Sequence, residues 1–191
     1  DTAIIGTTYL SFALSRFGYM GVGRNIGYTK TLFNSVNGFE SHKEIASGDD
    51  DLFINEVANR RNAQIIIDKD AQTVSNAKTT YKSWVRQKKR HFLSGTNYKF
   101  KHKFMLGLLQ LSQLVFICLF LLLVVKVRPV YLIISVCVLR YIIQMFIFKR
   151  SANKIGGKDL ILLSPFFEMF FMLFNPLLLF SNQIIKKTQW N

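Results

Sequence analysis

The chain has 191 residues, of which 50% are hydrophobic and 14% aromatic, with 25 Lys and Arg against 11 Asp and Glu. This composition excludes a disordered chain, and long charge-poor runs after residue 103 argue against a wholly soluble protein. The two cysteines, Cys118 and Cys137, lie inside apolar runs. They therefore predict neither a disulfide framework nor a structural metal site.

The second half of the chain predicts a helical transmembrane region over residues 104–191. Residues 104–125 contain no formal charge, and 22 residues at about 1.5 Å each cover a hydrocarbon layer of roughly 30 Å. A second predicted span covers residues 130–148 and contains Arg140. A third apolar stretch, residues 160–182, is interrupted by two prolines and Glu168.

Two alternatives stay open in this region. Arg140 faces another helix, a pore or the polar domain, or it snorkels from a tilted helix toward the membrane surface. Residues 160–182 form either a kinked span or a helix in the membrane interface.

Basic residues predict the orientation. They crowd the approach to the first span and follow the second, so the positive-inside rule puts residues 1–103 and 149–159 in the cytoplasm. We expect an integral protein of the cytoplasmic membrane with its catalytic part cytoplasmic. Half of the net charge of +14 lies after residue 103, around the spans, and we therefore expect no nucleic-acid partner.

Residues 1–103 predict a mixed α/β domain. Residues 26–33 and 64–68 are rich in β-branched and aromatic side chains, which favours strands. Asn37 and Gly38 predict a turn, and apolar residues at helical spacing after 47–51 predict a helix. A basic helix is predicted over residues 79–93.

An acidic cluster forms the first feature with possible chemistry. Asp49, Asp50 and Asp51 are adjacent in a chain with only eleven acids. Like charges raise one another's pKa, and the cost is offset when one group acts as a base or a cation binds. The alternative is a solvated acidic turn at a helix start.

The predicted basic helix contains the second feature. Gln87, Arg90 and His91 stand at positions i, i+3 and i+4, which puts an amide, a guanidinium and an imidazole on one helix face. Arg suits phosphate, and Trp84 nearby suits stacking. The alternative is a basic stretch attracted to anionic lipid headgroups.

The third feature is a glycine turn. Gly21 and Gly23 precede Arg24 and Asn25, as in loops that surround phosphates, but the spacing matches no dinucleotide-binding or P-loop fingerprint.

Together and in this order, the three features resemble family 2 glycosyltransferases, particularly the membrane-integrated enzymes related to cellulose and hyaluronan synthases. Residues 21–39, GVGRNIGYTKTLFNSVNGF, resemble the segment with a GGF-type turn. Residues 47–55, SGDDDLFIN, resemble the TED or GDD motif, and residues 84–91, WVRQKKRH, resemble QxxRW. His91 stands where that motif has its tryptophan. The likeness covers roughly residues 18–125.

The resemblance implies a fold and a reaction. Residues 1–103 would be the C-terminal part of a GT-A-like α/β domain with an interfacial basic helix, lacking the nucleotide-binding half. The reaction would be inverting transfer of a sugar from a nucleotide-sugar donor to a hydroxyl on a glycan or lipid-linked acceptor. Mg²⁺ or Mn²⁺ would bind mainly to the lacking half, so we expect no metal ligand in these residues and no activity from them alone.

The resemblance also implies residue roles. Within the acidic cluster of Asp49, Asp50 and Asp51, aligning GDD with GDD selects Asp50 as the catalytic base, and aligning the apolar residue at Leu52 selects Asp49. Gln87 and Arg90 would bind the nucleotide diphosphate. The acceptor would contact four residues: His91, Trp84, Arg24 and Asn25.

A hypothesis of another class competes with the enzyme. In it, the chain is a non-catalytic membrane protein whose basic face binds anionic lipid or a partner protein.

Overall fold

A computed structural model describes residues 2–45, 47–126, 128–155 and 161–184. Within these ranges the chain forms helices and irregular segments, and none of the described residues lies in a strand. The seven described α-helices are α1 (Thr2–Leu14), α2 (Lys30–Ser35), α3 (Asp49–Val57), α4 (Tyr81–Gly95), α5 (Phe100–Lys126), α6 (Val130–Ile155) and α7 (Ser164–Ile184). Short 3₁₀ turns occur at Gly23–Asn25, Glu40–His42 and Lys69–Ala71.

The prediction of an α/β, GT-A-like domain is wrong. The first half of the predicted strand at 26–33 is instead an extended segment, and the second half lies in α2, which begins where the Thr29 hydroxyl accepts a hydrogen bond from Leu32 N at 3.2 Å. The predicted strand at 64–68 is irregular, and Ile66 is 74% exposed. A strand needs a neighbouring strand for its N–H and C=O groups, and apolar β-branched residues do not supply that neighbour.

Three local predictions in the same region are confirmed. A helix, α3, begins at the acidic cluster, and α4 covers most of the predicted basic helix. Asn37 and Gly38 adopt left-handed φ values of 56° and 65°, and Gly38 N donates to Phe33 O at 2.9 Å. A Cβ on Gly38 would lie 2.6 Å from the Phe33 ring, so the turn requires glycine.

Three helices are long and apolar enough to cross a membrane. They are α5, α6 and the Ser164–Ser181 part of α7, whose mean hydropathies over 18 residues are 2.7, 2.1 and 1.3. Large apolar side chains such as Leu121 and Ile142 are more than half exposed, as lipid-facing side chains are. These features are those of an integral membrane protein. Of the predicted third span, Leu160 lies outside the described residues.

The chain divides into two compact units, and each is considered by itself. One unit is built mainly from Thr8–Lys103 and the other mainly from Phe104–Phe174. They are called the polar unit and the membrane unit below.

Helix α7 contains two prolines. Pro165 lies in the first turn of α7, where a proline is tolerated, but Pro176 lies inside the helix. Pro176 has no N–H for the carbonyl of Met172, four residues earlier. Gln110 Nε2 on α5 donates to that carbonyl at 2.7 Å. The Gln110 side chain on α5 thus supplies the hydrogen-bond donor that Pro176 cannot give to the Met172 carbonyl on α7.

The core of the polar unit surrounds α3. Phe53 is fully buried, with its ring centroid 4.6 Å from that of Tyr28, 5.8 Å from Phe33 and 5.7 Å from Phe39. These aromatic contacts join α3 to the segments on either side of α2. Burial of large aromatic side chains is the main favourable term in such a small core.

Asn55 on α3 makes three buried hydrogen bonds to other segments. Its Oδ1 accepts from Lys99 N at 2.8 Å, and its Nδ2 donates to Tyr19 O at 2.7 Å and to His102 Nδ1 at 2.8 Å. Because the amide nitrogen is only a donor, His102 Nδ1 is the unprotonated ring nitrogen. The Asn55 side chain therefore joins α3, the segment after α1 and the start of α5.

We predict that Asn55→Ala destabilises the polar unit by about 2–4 kcal/mol, because three partners lose a buried hydrogen bond. The measurement is chemical unfolding in detergent, followed by tryptophan fluorescence. Asn97→Ala is the matched control, since Asn97 is exposed and its amide bonds only within its own turn. Equal unfolding midpoints for the two variants would contradict the prediction.

Candidate functional site

The acidic cluster and the glycine turn meet in the structure. Asp50 Oδ2 accepts a hydrogen bond from Gly23 N at 2.6 Å across 27 residues of sequence. A Cβ on Gly23 would lie only 2.9 Å from that oxygen. Glycine therefore permits the close approach of the carboxylate to the turn.

The acidic cluster also meets the basic helix. Gly48, which precedes α3, has a φ of +85°, and a Cβ there would lie 2.2 Å from Ser94 Cβ in the last turn of α4. Ser47 Oγ donates to Arg90 O at 3.4 Å. The start of α3 and the end of α4 are thus in contact, and the three sequence features lie together.

Asp51 is the buried member of the acidic cluster, at 6% exposure. Ser94 Oγ donates to its Oδ2 at 3.3 Å, and Tyr98 hydrogen-bonds to the same carboxyl group. Burial, and then the charge of Asp50, raises the pKa of Asp51 to about 7, although the bonds from Ser94 and Tyr98 act in the opposite direction.

The other two carboxylates differ in exposure. Asp49 is exposed at the first position of α3, and Asp50 is half-buried against the glycine turn. The three carboxyl groups thus lie in different environments. Asp49 is exposed to solvent, Asp50 is half-buried and bound to Gly23 N, and Asp51 is buried.

The face of α4 predicted to bind phosphate is largely open. Arg90 and His91 are exposed and Gln87 is half-buried. Partial desolvation, and then the charges of Lys88 and Arg90, lower the pKa of His91, while Asp50 acts to raise it. His91 is therefore a neutral imidazole at pH 7, electrostatically coupled to Asp50.

Three predicted acceptor-binding residues contact other parts of the polar unit. Arg24 Nη1 donates to Ser75 Oγ, and Asn25 Nδ2 donates to Ala71 O at 2.8 Å, so both hold the 69–75 segment against the glycine turn. Trp84 is half-buried, and its ring lies 5.6 Å from that of Tyr81. It precedes His91 by seven residues, or about two helical turns.

Several site residues were missed from the sequence. Ser94 lies three and four residues after His91 and Arg90, so helical spacing could have placed it on their face. Tyr19 and Tyr98 gave no signal, because their sequence neighbours do not indicate that they adjoin Asp51. Lys88, within the basic stretch of α4, is only 8% exposed, and burial lowers its pKa to about 8.

The metal prediction stays a prediction. Among the described residues, no group of three or more His, Cys, Asp or Glu side chains is arranged to hold a metal ion. Asp50 accepts a hydrogen bond from Gly23 N and Asp51 one from Ser94 Oγ, so each of these carboxylates already has a donor within the polar unit. The residues present do not fit a Mg²⁺ or Mn²⁺ site.

Comparison with protein-family models, with curated proteins and with solved structures finds no match to this chain.

We predict that Asp51 makes the stability of the polar unit depend on pH. With a pKa of about 7 when folded and near 3.8 when unfolded, Asp51 binds more protons in the folded chain between these values. The contribution of Asp51 to the free energy of unfolding therefore falls by a few kcal/mol as the pH rises from 4 to 7. Asp51→Asn removes this fall, and Asp70→Asn, an exposed control, keeps it. Unfolding midpoints from pH 4 to 8 test this, and equal slopes in both variants would refute it.

We also predict that Gly48→Ala separates α3 from α4. A left-handed φ and the contact with Ser94 together cost about 2–5 kcal/mol. Gly27→Ala is the matched control, because a Cβ on Gly27 meets nothing within 4 Å. Unfolding midpoints of the two variants provide the comparison, and a midpoint unchanged by Gly48→Ala would show that the contact is dispensable.

Proposed function

We propose that this chain belongs to an inverting membrane glycosyltransferase of the family 2 type. It moves a sugar from a nucleotide-sugar to a hydroxyl of a glycan or lipid-linked acceptor at the cytoplasmic face of the membrane. One observation supports this above the others: Asp50 contacts the glycine turn, and the start of its helix contacts α4, which bears Arg90 and His91.

Asp50 is the proposed catalytic base. A base must reach the acceptor hydroxyl, and the burial of Asp51 argues against that residue. Asp49 is exposed, and none of the contacts found at the site fixes the position of its side chain. Asp50 is half-buried and is oriented by the Gly23 N–H, so it combines access with a fixed position.

Arg90 and Gln87 are the proposed ligands of the diphosphate. Both lie on the same face of α4 as His91, and a guanidinium can donate two parallel hydrogen bonds to phosphate oxygens. Lys88, although buried, adds positive charge to the same helix. The negative charge that develops on the leaving group would be stabilised there.

His91 and Trp84 are the proposed acceptor contacts. A neutral imidazole can accept a hydrogen bond from a sugar hydroxyl, and both rings can stack on a sugar face. Arg24 and Asn25 already bind the 69–75 segment, which suits a role in shaping the glycine turn. Their predicted contact with the acceptor stays a prediction.

The proposed reaction is a single displacement at the anomeric carbon of the donor sugar. The acceptor oxygen attacks the anomeric carbon from the side opposite the diphosphate, and its proton passes to the Asp50 carboxylate. The bond from the anomeric carbon to the diphosphate oxygen breaks, and the nucleoside diphosphate leaves with the electron pair. Arg90 offsets its added charge.

We predict that Asp50→Asn abolishes sugar transfer and leaves UDP and GDP binding within about twofold of the parent, because the amide keeps the shape but accepts no proton. Transfer is measured in the complete natural polypeptide that contains these residues, and Asp70→Asn is the exposed control. If Asp49→Asn were inactive and Asp50→Asn active, Asp49 would be the base. Full activity in both variants would reject the acidic cluster as the catalytic site.

The same preparations test the diphosphate ligand. Arg90→Lys should weaken UDP and GDP binding about tenfold, because a point charge replaces a two-pronged donor. Arg86→Lys, on an exposed α4 position one turn earlier, is the control. Equal binding by the two variants would remove Arg90 from the diphosphate site.

A second candidate function has its own support. Lys82, Arg86 and Arg90 are exposed at intervals of four residues, so they form one cationic stripe along α4 shortly before α5. Such a stripe suits anionic lipid headgroups. In a purely lipid-binding protein, the chain would bind phosphatidylglycerol vesicles better than phosphatidylcholine vesicles and would bind neither nucleotide.

A further inference from the structure

The membrane unit contains a charge pair between two of its helices. Arg140 Nη2 on α6 lies 2.8 Å from Glu168 Oε1 on α7, and both side chains are mostly buried, at 26% and 18% exposure. Of the two open alternatives for Arg140, the structure supports the one in which it faces another helix.

Further side chains contact both members of the pair. Gln113 Nε2 on α5 donates to the same Glu168 oxygen at 3.1 Å. The Arg140 guanidinium carbon lies 4.4 Å from the centre of the Phe116 ring and 5.1 Å from that of Tyr141. Amide donation stabilises the carboxylate, and aromatic faces stabilise the cation.

Glu168 depends on these two donors. Its other oxygen, Oε2, is buried and has no hydrogen-bond partner among the described residues. Without Arg140, Gln113 alone would remain to compensate for the carboxylate. An ionisable group inside an apolar bundle is costly unless it is paired, and removal of one partner costs more than replacement of both.

The candidate span that contains Glu168 is also the least apolar of the three. Over 18 residues, the mean hydropathy is 1.3 in α7, against 2.7 in α5 and 2.1 in α6. Helix α6 therefore tolerates a polar residue more easily than α7 does. The two helices are also adjacent in sequence, so they can enter the membrane together.

We propose that α7 spans the membrane only when Arg140 on α6 neutralises Glu168, so that α6 and α7 insert as a charge-paired hairpin. The inference is independent of any catalytic role. It follows from where the two charges lie and from the unequal hydropathy of the two helices.

The asymmetry gives the proposal its test. Arg140→Leu makes α6 more apolar but leaves Glu168 unpaired on the marginal helix, so α7 should lose its insertion. Glu168→Leu leaves the unpaired Arg140 charge on α6, the more apolar span, and makes α7 more apolar, so α7 should still insert. The double variant Arg140→Leu with Glu168→Leu should insert as well, because neither charge remains.

The experiment locates two engineered cysteines in cells that express the chain. After Cys118→Ala and Cys137→Ala, a single cysteine is introduced either as Asn153→Cys, near the end of α6, or as Ser181→Cys, near the end of α7. A membrane-impermeant maleimide is applied to intact cells and to permeabilised cells. The ratio of the two signals gives the side on which each cysteine lies.

In the parent chain the two cysteines should label from opposite sides of the membrane. In Arg140→Leu, the fraction of Ser181→Cys on the side opposite Asn153→Cys should fall at least about fivefold. Glu168→Leu, the double variant and Arg140→Lys, which keeps the charge, should label like the parent. Gln144→Leu is the control on the same face of α6 one turn later, since its Oε1 has no partner to lose among the described residues.

Three results would overturn the proposal. In the first, Arg140→Leu labels like the parent, which shows that α7 inserts by itself. In the second, both cysteines of the parent label from one side, which places α7 in the interface. In the third, the double variant fails to restore opposite-side labelling, which shows that Arg140→Leu acts through something other than Glu168.

Discussion

The contact between the start of α3 and the last turn of α4 brings the acidic cluster against the helix that bears Gln87, Arg90 and His91. It exists because Gly48 leaves room for Ser94, and because Ser94 in turn donates to the buried Asp51. Asn55 lies one helical turn after Asp51, on the same buried face of α3, and binds the segments on the other side. Two polar side chains at i and i+4 therefore fix α3 within the polar unit. The half-buried Asp50 and the exposed His91 owe their places to this buried contact.

Both units bury polar groups and compensate them with specific partners. In the polar unit, Ser94 and Tyr98 supply donors to Asp51, although not enough to keep the pKa of that carboxyl group at its ordinary value. In the membrane unit, Gln110 binds the carbonyl that a proline leaves without a donor, and Arg140 binds Glu168. Because no water is available in a bilayer core, these interhelical contacts also determine which helices associate.

Local patterns predicted five of the seven described helices, missed α1 and α2, and predicted strands where none of the described residues forms one. The membrane spans follow from apolar length alone, and the start of α3 from an acidic cluster before a helical repeat. The stretches at 26–33 and 64–68 have strand-like composition, yet a strand exists only where a second strand pairs with it. The composition of a segment indicates its preference for the strand conformation, but it does not show whether a second strand is there to pair with it. The predicted α/β domain failed for this reason.

The sequence by itself determined the candidate residues, the three apolar helices and the basic charge around them, because each depends on residues close together in the chain. Only the tertiary structure decided that Asp50 meets Gly23, that Asp51 is enclosed and that Arg140 pairs with Glu168. These contacts join residues 27 or more positions apart, and three adjacent aspartates look alike in a sequence. Their different burial arises from the helix on which they lie and from what packs against each of its faces.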